Sequence, residues 1–239
     1  AKTLIFGNNL DSQFNKFYLE QSYGKTWFTG DVRGWYQLPR NNEEVLACRA
    51  VNPNDQEFAD ILENNDIDLT QYERLIFVIS DSLGGCSYVG KAYIYLGGSF
   101  LDHPISLAWI GPADYSNPAR EFYNINRSFS WTELDAVLGH ELGHSLGLEH
   151  ANGIDCELRT YGNSNCEHVE YGNLYDIMGI DGTYSLHSNV LYKELLGWIS
   201  PSDILNINQP GQYTIKSLES NSGIRGARIA TVQLCDQEA

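Results

Sequence analysis

Within eleven residues, His140-Glu-Leu-Gly-His-Ser-Leu-Gly-Leu-Glu-His150, the chain places three of its six histidines. No other feature constrains the fold as much. On an α-helix His140 and His144 stand one turn apart on the same face. Both imidazoles can then reach one tetrahedral zinc ion, at about 2.0–2.1 Å each. The helix must stop at Gly147, because a residue without Cβ can take φ > 0 and turn the chain back sharply. The turn delivers His150 as a third ligand. Three protein ligands leave the fourth position to water, which is the pattern of a catalytic rather than a structural zinc. Glu141 follows the first ligand and is placed to take a proton from the bound water without itself binding metal.

The single methionine, Met178, lies 28 residues after His150 in Tyr175-Asp176-Ile177-Met178-Gly179. A lone methionine is usually flexible core filler. Together with the histidine pattern, however, this segment resembles the metzincin peptidases, which carry a methionine-containing turn beneath their zinc site. The expected role of Met178 is to pack under the histidines, not to bind metal. Further stretches resemble the gametolysin-type branch of that family and its bacterial relatives. They are Ser22-Tyr-Gly-Lys25, Thr29-Gly-Asp-Val-Arg-Gly-Trp-Tyr-Gln-Leu-Pro39, Tyr171-Gly-Asn-Leu-Tyr-Asp-Ile-Met-Gly179 and Tyr192-Lys-Glu-Leu-Leu-Gly-Trp198. The last is also similar to immune-inhibitor-A-like peptidases.

The resemblance implies a secreted zinc endopeptidase, with a C-terminal β region beginning near Gln212. It implies an α+β fold: a metzincin-like catalytic domain with a mixed twisted sheet, an active-site helix, a cleft and a smaller C-terminal subdomain. The expected boundaries are 1–200 for the catalytic domain and 201–239 for a C-terminal β segment. Within the catalytic domain, residues 1–147 would lie above the cleft and residues 148–200 below it. One departure matters. Astacin- and serralysin-like members place a tyrosine two residues after the methionine, where this chain has Ile180. Tyr184 is close enough in sequence to be a substitute oxyanion donor, or else a packed core tyrosine.

Composition narrows the partners. The net charge is −16, from 31 acidic and 15 basic residues, which disfavours nucleic acid and anionic membrane surfaces. No apolar run approaches the ~20 residues a membrane span needs. Protein or peptide substrates, a monomeric state and an extracellular location are the expectation. The acidic excess fits solubility, and calcium is a weaker alternative, with Asp66 and Asp68 as its nearest candidates although they complete no calcium-loop pattern.

Ala1–Phe6 is too short an apolar stretch for a signal peptide, and the absent initiator methionine suggests a processed chain. Five cysteines show no CxxC spacing, which argues against a zinc knuckle. In an exported hydrolase they point to disulfides. Cys156 and Cys166 bracket a Gly/Asn/Ser loop and form the favoured pair; Cys48–Cys86 is next, leaving Cys235 over.

Periodicity predicts a strand over Lys2–Phe6, a helix over Ser12–Glu20 and strand pairs over Lys25–Leu38. It predicts a helix over Asp55–Glu63 and strands at Arg74–Ile79, Tyr88–Leu96 and Ile105–Ile110. Ser130-Trp-Thr-Glu133 reads as a capping box starting the active-site helix, which should run from Trp131 to about Leu146. Val137, Leu138, Leu142 and Leu146 should bury its other face. Ser188–Leu196 reads as a helix ended by Gly197, and Gln212–Lys216 and Arg228–Gln233 as strands.

Mechanistically, a zinc-bound water activated by Glu141 would attack the peptide carbonyl. Substrate would lie along a sheet edge by strand addition. The strand around Ser106–Ile110 is the candidate edge, with an ordinary interior strand as the alternative. The competing functional readings are a zinc-retaining binding or adhesion module without turnover, and a zinc amidase acting on non-peptide bonds.

Overall fold

The computed structural model describes residues 5–7, 11–36, 56–78, 90–93, 99–100, 103–110, 131–156, 166–179 and 186–229. Among them are four α-helices and several small sheets, a mixed α+β architecture. No described helix is long and apolar enough to cross a membrane. The chain divides into two compact units: residues 1–4, 29–149 and 182–185 form the first, and 5–28, 150–181 and 186–239 the second.

In the first unit, helix α2 (Gln56–Asn64) precedes strand β1 (Arg74–Val78), and β2 (Gly90–Ala92) precedes β5 (Ser106–Ile110). Between the last two, β3 (Ser99–Phe100) and β4 (His103–Pro104) form a small antiparallel pair. The three-stranded sheet has the order β1-β5-β2, with β1 parallel and β2 antiparallel to β5. β5 is therefore an interior strand, which overturns its candidacy as the substrate-binding edge. Its burial has the same cause. Ile105 and Trp109 pack with Phe58 and Leu62 of α2 and with Leu69. The alternate residues Ser106, Ala108 and Ile110 point to the opposite face and are buried as well. β1, which among the described residues has a strand partner only on its β5 side, is half-buried along most of its length, with Val78 exposed. Helix α3 (Trp131–Ser145) packs against β5 and β2. Val137, Leu138 and Leu142 are buried as expected, and Leu146 is half-buried. Ser130 and the side chain of Glu133 lie outside the described residues.

In the second unit, helix α1 (Gln13–Gln21) starts where Ser12 Oγ accepts the amide of Asn15 at 3.0 Å. It buries Phe14 and Tyr18, whose rings meet that of Phe28 tilted at 5.4 Å and edge-on at 4.7 Å, respectively. Helix α4 (Val190–Leu195) is capped by Asn189 and ends before Gly197, at φ +70°. Lys25 Nζ donates to the carbonyls of Gly197 and Trp198 at 2.9 and 2.8 Å, satisfying groups exposed where the helix ends. β6 (Gly153–Asp155) and β7 (Glu167–Val169) form an antiparallel hairpin. β8 (Ile204–Ile207) and β9 (Gly226–Ile229) pair in parallel.

Three strand expectations are not met among the described residues, residues 37–38 of the second lying outside them. Ile5–Gly7 is a helical and turn segment, with Gly7 at φ +72°; residues 1–4 lie outside the described residues. Residues 25–36 form no strand. Side chains take three amides at the start of this stretch instead: Ser22 Oγ accepts from Lys25 and Thr26, and Asn15 Oδ1 from Phe28. Residues 212–216 are not a strand either. Their alternation has no face to bury, and Tyr213 and Ile215 are both exposed. The strand of that region is β8, upstream of the alternating run.

Candidate metal centre

α3 carries His140, Glu141 and His144 as the spacing requires. The two imidazoles lie edge to face, with ring centroids 4.8 Å apart. The helix ends after Ser145, and Gly147 takes φ +95°, the left-handed conformation that turns the chain. That turn folds Leu148 back. Its carbonyl lies 2.7 Å from His144 Nδ1. A carbonyl can only accept, so His144 carries its ring proton on Nδ1 and its lone pair on Nε2. His150 follows, and its Nδ1 lies 2.7 Å from a carboxylate oxygen of Glu170. That contact assigns the same tautomer to His150. One candidate ligand nitrogen from each of His140, His144 and His150 falls within 4.8 Å of the others, and this is the metal-holding cluster found among the described residues.

The donor set fits a metal ion. Two of the three imidazoles donate their Nδ1–H to an oxygen acceptor, the arrangement that orients a ligating histidine. Glu141 supplies a further observation. It is buried, and its Oε2 has no hydrogen-bond partner. Burial pushes its carboxyl up to about 8. An isolated carboxyl so placed is costly, and a cation nearby reverses the balance by favouring the ionised form. β2 crosses close to it: a Cβ built on Gly90 would lie 2.4 Å from Glu141 Oε1 and 2.8 Å from Val137 Cγ1. Glycine at position 90 therefore makes the room in which the carboxylate sits.

Met178 is fully buried in the second unit. Its carbonyl accepts the amide of Ala151, the residue after His150, at 2.8 Å. The turn around it is built by Asp176, whose Oδ1 accepts the amide of Met178 at 2.7 Å and whose Oδ2 accepts that of Asn189 at 2.6 Å. Burial raises the Asp176 carboxyl pKa, and these backbone donors partly oppose the shift. Gly179 is obligatory, since a Cβ there would lie 1.9 Å from the carbonyl oxygen of Asn173. Tyr184 and Ile180 lie outside the described residues, as do Cys48, Cys86 and Cys235. Cys156 and Cys166 stand at disulfide distance, with Cα atoms 4.1 Å apart. Asp68 caps a short 3-10 turn, its carboxylate accepting from Thr70 and Gln71.

The sequence reading missed Glu170, Asp176 and Gly90. Compared with protein-family models, curated proteins and solved structures, the chain gives no match. The site is defined by its own geometry: a histidine triad able to hold a metal ion, beside a buried carboxylate.

Proposed function

We propose that this chain is a zinc-dependent endopeptidase of metzincin type that works outside the cell. The observation that carries the reading is the buried carboxylate of Glu141, whose Oε2 has no hydrogen-bond partner, next to His140 on a helix whose His140 and His144 belong to the triad. A binding module that merely retained the ion has no use for such a base.

His140, His144 and His150 would hold the ion. Zinc bound there supplies Lewis acidity, which makes water more acidic and polarises the scissile carbonyl. Glu141 takes the proton of the attacking water on its carboxylate and then passes it to the departing amine nitrogen. The leaving half is thereby a neutral amine and the other product a carboxylic acid, which releases the water's second proton to solvent. An extended substrate adds to β2, which among the described residues has a strand partner only on its β5 side. Cys156 and Cys166 at disulfide distance support an oxidising, extracellular location.

The test is cleavage of casein and gelatin by the zinc-loaded protein, with and without a chelator, beside Glu141→Gln. The reading expects chelator-sensitive cleavage that Glu141→Gln loses by at least ~10²-fold while keeping its zinc. Zinc uptake without cleavage of any protein would leave a binding module or a non-peptide amidase instead.

A further inference from the structure

The three histidines are not held alike. His144 is oriented by a main-chain carbonyl, that of Leu148, so the turn at Gly147 supplies its partner whatever side chain stands at 148. His150 lies past the helix end. Its main chain is anchored, with its carbonyl accepting from Tyr192 Oη at 2.9 Å. Its ring, however, depends on side chains from a distant stretch of the sequence. Glu170 meets Nδ1 at 2.7 Å, and the Tyr171 ring lies against the imidazole with centroids 3.8 Å apart and planes 35° apart.

The β6–β7 hairpin brings these two side chains to His150. Its register pairs Gly153 with Val169 and Asp155 with Glu167, and Cys156 and Cys166 stand opposed just beyond. At the other end Gly172 approaches Gly153 so closely that a Cβ on Gly172 would lie 2.7 Å from Gly153 Cα. The amide of Asn173 then bonds the carbonyl of Ala151 at 3.0 Å. Between these anchors Tyr171 takes φ +60°, a left-handed conformation rare for a bulky residue. Its amide is within 3.3 Å of Asn152 Oδ1. A tight turn that costs backbone strain is thus closed over His150, presenting a carboxylate and an aromatic face to one ring.

We infer that Glu170 is a positioning residue for the third metal ligand: it holds the proton of His150 on Nδ1, and so keeps Nε2 as the nitrogen that binds the ion. Tyr171 limits the ring's rotation from its face. The inference rests on His140, His144 and His150 being a metal site. Glu170 binds no metal and touches no substrate in this account; it acts through His150. Its side chain is 62% exposed and that of His150 is 23% exposed, so replacing Glu170 removes the acceptor without opening a core.

The experiment compares the wild-type chain, Glu170→Ala, Glu170→Gln and His140→Ala. Zn2+ affinity is measured by competition with a chromophoric chelator, and the His150 tautomer of the metal-free protein by long-range 1H–15N NMR. Glu170→Ala should bind Zn2+ about 10- to 100-fold more weakly, the usual loss for such an outer partner. Its His150 signal should move toward the Nε2–H tautomer. Glu170→Gln keeps an acceptor oxygen and should recover the Nδ1–H tautomer and most of the affinity, a rescue that a merely structural role for the charge would not produce. Wild-type affinity together with an unchanged tautomer in Glu170→Ala overturns the inference. Failure of the site itself looks different: the wild-type chain would then bind Zn2+ no better than His140→Ala.

Discussion

Gly90→Ala is the most discriminating change, because it places one methyl group against the proposed base. The added Cβ would stand 2.4 Å from Glu141 Oε1 and 2.8 Å from Val137 Cγ1, whereas ordinary contact begins at 3.4 Å. The carboxylate must therefore retreat by about 1 Å, or β2 must lift off α3. Overpacking of this kind costs about 1–3 kcal/mol. For a chain of this size that lowers Tm by roughly 2–12 °C. The effect on turnover should be larger, since a ~1 Å misplacement in a catalytic constellation can cost ~10²-fold. The histidines are not in the path of the methyl, so zinc content should hold. Val137→Ala in the same background removes the second clash but not the first; Tm should partly recover while turnover stays low. Thermal melts, metal analysis and peptide turnover on the three proteins read these quantities. A folded, zinc-loaded Gly90→Ala protein with wild-type turnover would refute the placement of Glu141 as the base.

Met178→Leu should cost under ~1.5 kcal/mol and retain zinc, because it nearly conserves volume at a fully buried position. Met178→Ser should cost more, by burying a hydroxyl; urea titration with metal analysis checks both, and a harmless serine would mean Met178 is not a packing residue. Non-reducing peptide mapping should find Cys156 joined to Cys166, and the double serine variant should lose about 3 kcal/mol, the loop entropy of so short a span. Two free thiols would remove this brace and weaken the extracellular reading. Burial lowers the Lys193 amine from 10.5 to about 8, so between those values the unfolded chain binds the extra proton and stability rises with pH. Lys193→Met should lack that rise; parallel stability curves for the two proteins across the window would refute it.

What the sequence made legible was local. The i, i+4 histidines, the glycine turn, the Ser12–Glu20 helix and the helix ended by Gly197 depend on neighbours within a turn or two, and each appears in place. The failures have a common cause. Residues 25–36 and 212–216 have the composition of strands, but a strand needs a partner backbone, and composition does not reveal whether one is present. For 25–28 the partners are side chains of α1 and its C-terminal turn; for 212–216 exposure leaves the alternation without a buried face. The order β1-β5-β2 was equally hidden. Ile105–Ile110 reads as an apolar run, and such runs do belong to strands flanked on both sides, so its own hydrophobicity argued against an edge.

Glu170 is the instructive omission, because the means of finding it were already present. Pairing Cys156 with Cys166 as the closed end of an antiparallel hairpin sets a register that can be counted outward. Asp155 then faces Glu167, Ile154 faces His168 and Gly153 faces Val169, as observed. One further step brings Glu170 level with Asn152, two residues from the third histidine. Hydrogen-bonding and stacking reach from there is short, and an imidazole that binds metal needs an acceptor for its second nitrogen. The α-helix orients only the ligands it carries, and a ligand beyond its end must be oriented from elsewhere. In this chain that support comes from Glu170, twenty residues downstream at the end of the hairpin, whose register a single cysteine pair can brace. The stability of that pair and the affinity of His150 for metal are therefore expected to be coupled.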